Sequence, residues 1–277
     1  MTRRIILHIG SPKCGSTYLQ RVLLQNRSTL EKHAIRYPHD GGNHPGNAGN
    51  LGGITSQELE QFFHGGIETV VLSHEDLYSL AGKHGNGLAE LCREASIEVQ
   101  VVAFLRPFNE FIFGDYSQFM KQFFDVFLSK REAYNGKDFK AFAQRRVDTM
   151  DPAAYLRQWQ RKFPNLPLIL AGNREIRSVM SSLIGGSVTE ALNWTIDASH
   201  VNLSLRMSDC DAIAGAMTDA SISNAKIKAM FLRAFHETGQ PDAGKTEERI
   251  AWVEEKFAQH NQKLLEEFNF DNRRKPS

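Results

Sequence analysis

A short stretch near the beginning of the chain combines two glycines, a lysine and several hydroxyl side chains. It reads Gly10-Ser11-Pro12-Lys13-Cys14-Gly15-Ser16-Thr17. Glycines permit a tight turn in which backbone N–H groups point at a single spot. A lysine adds a mobile positive charge, and hydroxyls donate hydrogen bonds to oxygen atoms. These residue types predict an anion-binding loop; the alternative is a tight turn that carries a surface lysine.

The elements on either side of this loop would position it. Residues 5–9 form a short apolar run rich in β-branched side chains, which predicts a buried strand. From Thr17 onward the apolar residues recur with helical spacing, namely Tyr18, Leu19, Val22 and Leu23. The glycine and hydroxyl positions fit a Walker phosphate loop, G-x-x-x-x-G-K-S/T, but Ser16 occupies the lysine position. The lysine stands three residues earlier, at Lys13.

The order of residues from Pro12 to Thr17 resembles the 5′-phosphosulfate loop of sulfotransferases that use PAPS (phosphoadenosine phosphosulfate). Cys14 departs from the hydroxyl residue that this family usually has at that position. The resemblance implies that Lys13 stabilises the leaving oxygen, and that the loop backbone with the hydroxyls of Ser16 and Thr17 holds the 5′-phosphate. The nucleotide-binding residues implied for this loop are Lys13, Cys14, Gly15, Ser16, Thr17 and Tyr18.

A second segment of the chain resembles the 3′-phosphate motif of the same family. Residues 99–105 predict a strand that ends in Arg106, whose planar fork matches phosphate oxygens; a structural salt bridge is the alternative. In the family motif, a serine follows the arginine by eight residues and a tyrosine comes two later. Here Gly114 replaces the serine, and a loop near residues 202–204 resembles one that closes over the nucleotide, or is simply a helix entry. The implied set is Arg106, Gly114, Tyr116, Asn202 and Ser204.

Acidic and histidine side chains directly follow the strand predicted at residues 69–72. This segment reads Ser73-His74-Glu75-Asp76. Doubly wound folds carry their chemistry at the carboxyl ends of such strands. The resemblance implies a glutamate or a histidine as catalytic base, so Glu75 is the first choice and His74 the second. In an extended segment alternate side chains point to opposite sides, which predicts that only one of the two faces the acceptor. We expect Asp76 to cap the next helix.

Residues 37–53 are rich in glycine, asparagine and histidine and predict a long loop. Long loops in compact domains are often functional. The Asn43-His44 pair loosely matches a pair that lies near the acceptor in the resembling family, so Asn43 and His44 are candidate acceptor-binding residues. The alternative is a solvated surface loop.

The alternation of strands and helices along the chain predicts an α/β fold. The expected architecture is three-layer α/β/α with a central, mainly parallel sheet and right-handed crossovers, followed by a mostly helical C-terminal third. The resemblance narrows this to a P-loop NTPase-like sulfotransferase fold. We predict one domain over residues 1–277, a first helix that ends near Lys32, and a helix over residues 56–63 capped by Ser56.

Composition limits where the protein acts and on what. The net charge of +1 gives no bulk field for nucleic acid, so nucleic-acid binding is not expected and any anion site must be local. Three widely spaced cysteines suggest a reducing compartment. No stretch has the length needed to span a membrane, and the chain starts at its first strand, so we expect a cytoplasmic, bacterial protein without stable membrane insertion.

The function implied is transfer of a sulfuryl group from PAPS to a hydroxyl or amine of a small-molecule, lipid or carbohydrate acceptor, with release of PAP. Lys13, Glu75 and His74 are the expected catalytic residues, and no metal is expected. Two alternative functions remain open. One is a P-loop kinase or NTPase in which the acids at residues 75–76 mimic a Walker B motif. The other is a non-catalytic nucleotide-binding module.

Overall fold

The computed structural model describes residues 3–197 and 203–274. The strands are β1 (Arg4–His8), β2 (Ile35–Arg36), β3 (Thr69–Ser73), β4 (Glu98–Leu105) and β5 (Ile169–Gly172). The helices are α1 (Ser16–Gln25), α2 (Arg27–Glu31), α3 (Ser56–Phe62), α4 (Ala81–Glu94), α5 (Phe108–Lys130), α6 (Phe139–Thr149), α7 (Pro152–Lys162), α8 (Ile176–Ile184), α9 (Gly186–Ala191), α10 (Met207–Thr218), α11 (Asn224–His236), α12 (Glu247–Lys256) and α13 (Ala258–Phe268). Across the described ranges, no helix joins the length to the apolarity that crossing a bilayer demands.

The five strands form one sheet in the order β2-β3-β1-β4-β5, and every pairing is parallel. β1 is the central strand, and its last residue, His8, is in register with Ser73 on one side and Val102 on the other. The α/β class and the parallel sheet are therefore confirmed. The carboxyl ends of β1 and β3 coincide, so the loops that follow these two strands emerge side by side.

The chain reverses its direction along the sheet around β1. It moves from β1 to β2 in one direction and from β3 to β4 in the other, passing β1. Because parallel crossovers are right-handed, the connecting helices must then lie on opposite faces of the sheet. In open α/β sheets ligands bind in a crevice at such a point, outside the carboxyl ends of the strands, and here that point lies beside β1.

Apolar side chains are buried on both faces of the sheet, since Ile5, Ile6 and Leu7 of β1 are all fully buried. On one face, Ile6 belongs to an apolar cluster with residues of α1, α2, α8 and α9. α4 and α7 pack against β4 and against each other. Parallel sheets are stable when helices cover both faces in this way. The arrangement is consistent with three α/β/α layers.

The described residues divide into two compact units. The sheet unit comprises residues 3–106, 151–197 and 263–270 and holds all five strands. The helical unit comprises residues 107–150, 203–262 and 271–274. Stacked aromatic rings hold the helical unit together, with centroids 3.7 Å apart for Phe124 and Phe231 and 4.4 Å apart for Phe108 and Phe257. The one-domain prediction stays a prediction.

The structure corrects two helix boundaries predicted from the sequence. The first helix does not continue to Lys32: α1 ends at Gln25, and the Asn26 side chain donates a hydrogen bond to the Val22 carbonyl (2.7 Å). At α3 the cap is Thr55 rather than Ser56. Thr55 Oγ1 accepts from the Glu58 N–H (3.2 Å), and the Glu58 carboxylate accepts from the Thr55 N–H (2.8 Å), which forms a capping box.

Candidate functional site

The loop after β1 turns through backbone conformations that glycine favours. The φ angles are +38° at Gly10, +62° at Lys13 and +91° at Gly15. A Cβ atom on Gly15 would lie only 2.7 Å from the Ile176 Cδ1 atom, so a larger residue would not fit. α1 then begins at Ser16 without any side-chain cap. The N–H groups of its first turn therefore have no intrahelical acceptor, and they form a cradle for an anion.

Some loop side chains close the turn itself. Ser16 Oγ donates to the Ser11 carbonyl (3.2 Å), and the Cys14 N–H donates to the same oxygen (3.3 Å). Cys14 and Ser16 are buried, and the Cys14 N–H is already bonded within the turn, so of these two residues Ser16 has the N–H that can serve a phosphate. The Tyr18 hydroxyl donates to the Trp194 carbonyl (2.9 Å).

Lys13 and Thr17 of the predicted phosphate-binding set have half-buried side chains. They flank Gly15, which begins the cradle. A lysine has a flexible stem that lets its ammonium group follow a reacting group, whereas a threonine hydroxyl is fixed close to the backbone. The loop can therefore offer backbone donors, one hydroxyl and one mobile cation to the same anion.

The backbone that carries Glu75 packs directly against this loop. A Cβ atom on Gly10 would lie 3.0 Å from the Glu75 Cα atom and 3.1 Å from the His74 carbonyl oxygen. The His74 N–H also donates to the His8 carbonyl (3.4 Å). The structure thus brings together the anion-binding loop and the acidic segment after β3, which the sequence had placed at neighbouring strand ends.

Neutral N–H donors approach both oxygens of the Glu75 carboxylate. His44 Nε2 lies 3.4 Å from Oε1, and Gln20 Nε2 lies 3.5 Å from Oε2. The Gly46 N–H donates to His44 Nδ1 (3.0 Å), so the proton of the neutral ring is on Nε2 and His44 donates to Glu75. Both distances are long for hydrogen bonds. The carboxylate remains 34% exposed and can reach a ligand.

His74 also contacts His44. The two imidazole rings stack with their centroids 4.6 Å apart, and His74 Nδ1 accepts from the Asp76 N–H (3.2 Å). Burial lowers the pKa of His74, although the adjacent Glu75 carboxylate opposes this shift. The ring is therefore mainly neutral at pH 7.

The extended conformation assumed for this segment is wrong, as is the cap predicted at Asp76. His74 and Glu75 both contact His44, so strict alternation does not apply, and which of them faces the acceptor stays a prediction. Alternation fails because residues 75–77 form a turn of 3-10 helix instead of continuing the extended strand. Asp76 caps no helix; the His74 side chain caps this turn instead, by accepting the Asp76 N–H.

A buried polar network extends from Glu75 into the core of the sheet unit. Gln20 Nε2 donates to Ser73 Oγ (3.1 Å), which lies 2.7 Å from His8 Nδ1. All three side chains are buried. Burial lowers the pKa of His8 to about 4, so its ring is neutral at pH 7. The sequence prediction missed these residues, although a histidine inside the apolar run of β1 is a visible signal.

The loop over residues 37–53 is anchored to the sheet unit and is not a freely solvated loop. The Tyr37 hydroxyl donates to the Pro45 carbonyl (2.6 Å). Asn47 Nδ2 donates to the Val71 carbonyl (2.9 Å), and the Ser73 N–H donates to Asn47 Oδ1 (2.7 Å). These contacts hold His44 against Glu75.

Asn43, the other candidate from this loop, is exposed beside His44. It does not contact Glu75 or His74 by hydrogen bond within the described part of the chain. Arg106 is half-buried and directly follows β4, the strand that pairs with β1 on the side opposite β3. It also belongs to the sheet unit. Its position after a strand end agrees with the sequence prediction, and its phosphate contact stays a prediction.

The remaining candidate residues fall in or next to the helical unit. Gly114 is buried within α5, and Ser204 is exposed just before α10. The Tyr116 ring is 2% exposed and stacks on Tyr134 with their centroids 3.9 Å apart, which is the packing of a core residue. Asn202 lies outside the described residues. The phosphate-binding roles of these residues stay predictions.

The chain was compared with models of protein families and with curated proteins. No family model matches the chain, and no curated protein shows a significant match to it. The functional interpretation therefore depends on the residues and contacts described above.

Proposed function

We propose that this chain is a PAPS-dependent sulfotransferase with a P-loop-like fold, which transfers a sulfuryl group to a hydroxyl or amine of a small-molecule, lipid or carbohydrate acceptor. One observation carries the proposal: Gly10 of the anion-binding loop packs against the backbone of Glu75. An anion cradle with the sequence features of a phosphosulfate loop is thereby adjacent to a carboxylate suited to receive a proton.

In the proposed reaction the first turn of α1 holds the 5′-phosphate of PAPS through its backbone N–H groups. The acceptor atom attacks sulfur while the bond between sulfur and the bridging phosphate oxygen breaks. The electron pair of that bond stays on the phosphate of PAP. Lys13 stabilises the negative charge that develops on the bridging oxygen.

Glu75 takes the proton that the acceptor hydroxyl or amine loses. Its backbone packs against the loop, and His44 and Gln20 approach one carboxylate oxygen each. A base must be within hydrogen-bond reach of the proton that it removes, and fixed donors keep the carboxylate in one orientation. The exposed His44 and Asn43 then form one wall of the acceptor site.

Arg106 binds the 3′-phosphate in this proposal. The crevice beside β1, where the crossovers reverse direction, accommodates the nucleotide between the loops that follow the neighbouring strands. An arginine fork at the end of β4 can form two parallel hydrogen bonds to one phosphate group. It would distinguish PAP from nucleotides that lack a 3′-phosphate.

A Walker-type kinase would use the same loop differently. Its lysine follows the second glycine, where this chain has Ser16, and Ser16 is buried with its hydroxyl bonded to Ser11. Thermal unfolding with PAP alone, and with ATP plus Mg²⁺, separates the two functions. We expect PAP to raise Tm without added metal, because ligand binding stabilises the native state by RT ln(1 + [L]/Kd). A Tm increase with ATP and Mg²⁺ alone would reject the sulfotransferase proposal.

The acceptor can be identified with labelled PAPS. The protein is incubated with the labelled donor and a metabolite extract from its source, and the labelled product is identified by mass. A Lys13→Ala variant processed in parallel is the matched control. A labelled product that forms equally with both proteins would indicate background transfer.

A further inference from the structure

Gln20 is a polar side chain in an apolar position. It lies on the face of α1 that packs on the sheet, between Leu19 and Leu23, and all three are fully buried. Its Nε2 atom donates hydrogen bonds to Ser73 and Glu75, but its Oε1 atom is buried and forms no hydrogen bond within the described residues. A buried carbonyl oxygen without a donor destabilises the folded protein. A leucine or methionine would avoid that cost.

The Gln20 amide connects the buried Ser73 side chain to the Glu75 carboxylate. One N–H of the amide reaches Ser73 Oγ (3.1 Å), and Ser73 is itself held by His8 (2.7 Å). The second N–H is then directed at the Glu75 carboxylate (3.5 Å). The carboxylate also fixes the orientation of the amide, because the opposite orientation would place two oxygens together.

We propose that Gln20 is a positioning residue that orients the Glu75 carboxylate relative to the anion cradle. Both features belong to α1: the cradle is its first turn, and Gln20 is one turn further along, at the position four residues after Ser16. A rigid helix therefore sets the distance between the nucleotide and the base. The proposal rests on the proposed function, since it assigns Glu75 the role of base.

The contact itself can be tested without any acceptor. In ¹⁵N-labelled protein, the side-chain amide signals of Gln20 are assigned by their loss in Gln20→Met. We expect these signals to differ between the wild-type protein and Glu75→Gln at pH 7, where His8 is neutral. Gln100 is the control, because its buried amide donates only to the backbone carbonyls of Val101 and Pro167. If the Gln20 amide signals have the same chemical shifts in the wild-type protein and in Glu75→Gln, the proposal is overturned.

Kinetics tests the role. Gln20→Met should lower kcat tenfold or more with the acceptor identified from the extract, while the Kd for PAP stays within about twofold of wild type. Gln25→Met is the matched control on the same helix, since the exposed Gln25 amide donates only to backbone carbonyls. If Gln20 were purely structural, Gln20→Met would lower Tm and leave kcat unchanged, which would overturn the proposal. Equal losses of kcat and PAP affinity would also overturn it, because the substitution would then act on the cradle.

If Gln20→Met does not fold, Ser73→Ala provides the second variant. It removes the anchor of the amide while leaving Gln20 and Glu75 in place, so kcat should fall with PAP affinity retained. An unchanged kcat would overturn the proposal. PAP binding to the wild-type protein is measured separately. Its absence would reject the sulfotransferase function, whereas the comparison of the Gln20 amide signals would still decide the contact between Gln20 and Glu75.

Discussion

His44 Nε2 lies 3.4 Å from Glu75 Oε1, and the backbone dictates which atom donates. Because the Gly46 N–H occupies His44 Nδ1, neutral His44 can present only an N–H to the carboxylate. His44 is therefore a donor toward Glu75 and not a competing base in this arrangement. In the proposed reaction, this geometry leaves proton acceptance to Glu75 and orientation of its carboxylate to His44.

Glu75→Gln should reduce kcat roughly a hundredfold or more while the Kd for PAP remains nearly unchanged. The amide keeps the shape of the side chain but cannot accept the acceptor proton. His74→Ala should reduce kcat much less, because His74 acts by stacking on His44. Rates are measured with the acceptor identified from the extract, and PAP binding by calorimetry.

The converse result would assign the base differently. An inactive His74→Ala variant together with an active Glu75→Gln variant would make His74 the base. If both variants stay active, His44 becomes the next residue to substitute.

The sequence was sufficient for the features that depend on local pattern. The apolar run of β1 and the glycines of the loop after it predict a strand and a tight turn, and both are present. The alternation of strands with helices predicts a parallel sheet, which places Lys13 and Glu75 at adjacent strand ends. These inferences need only residue types and their order.

Contacts that depend on packing between distant segments could not be predicted. Gln20 and Ser73 are 53 residues apart and meet because α1 lies on the sheet. The two-residue strand β2 is too short to show a period. The 3-10 turn at Glu75 has no distinct residue pattern, so alternation along an extended strand was assumed in its place.

Lys13→Ala should abolish turnover while PAP still binds detectably. We assign Lys13 to the bridging oxygen of the transferring group, and PAP lacks the sulfuryl group whose transfer develops charge there. Backbone N–H groups of the cradle remain in the variant and still hold the 5′-phosphate. Turnover of labelled PAPS and calorimetry with PAP measure the two effects. Equal losses in rate and in PAP affinity would make Lys13 a positioning cation only.

Arg106→Ala should affect nucleotide selectivity more than the chemical step. Losing a charge-assisted phosphate contact should weaken PAP binding by on the order of 2 kcal/mol, or about thirtyfold in Kd. The preference for PAP over adenosine 5′-monophosphate should narrow, because the latter has no 3′-phosphate. Competition between the two nucleotides measures this preference, and equal weakening of both would contradict the 3′-phosphate assignment.

His8 should make the folded state sensitive to acid. Burial holds its pKa at about 4 in the folded protein, below the value near 6.5 of an unfolded chain. Between these two values the unfolded chain binds a proton that the folded protein does not. The free energy of unfolding therefore falls as the pH is lowered from about 6.5 to 4, by up to about 1.4 kcal/mol per pH unit from this group.

Urea unfolding between pH 4.5 and 7 measures this dependence. His8→Gln removes the titrating group, so the free energy of unfolding should fall less steeply as the pH is lowered below 6.5. This holds whatever the effect of the substitution on stability at pH 7. His33→Gln is the control, because His33 is exposed on the surface. Burial also lowers the pKa of His74 and of His84, so part of the acid dependence should persist in His8→Gln. If the free energy of unfolding falls equally steeply with pH in wild type and His8→Gln, His8 does not remain neutral in the folded protein.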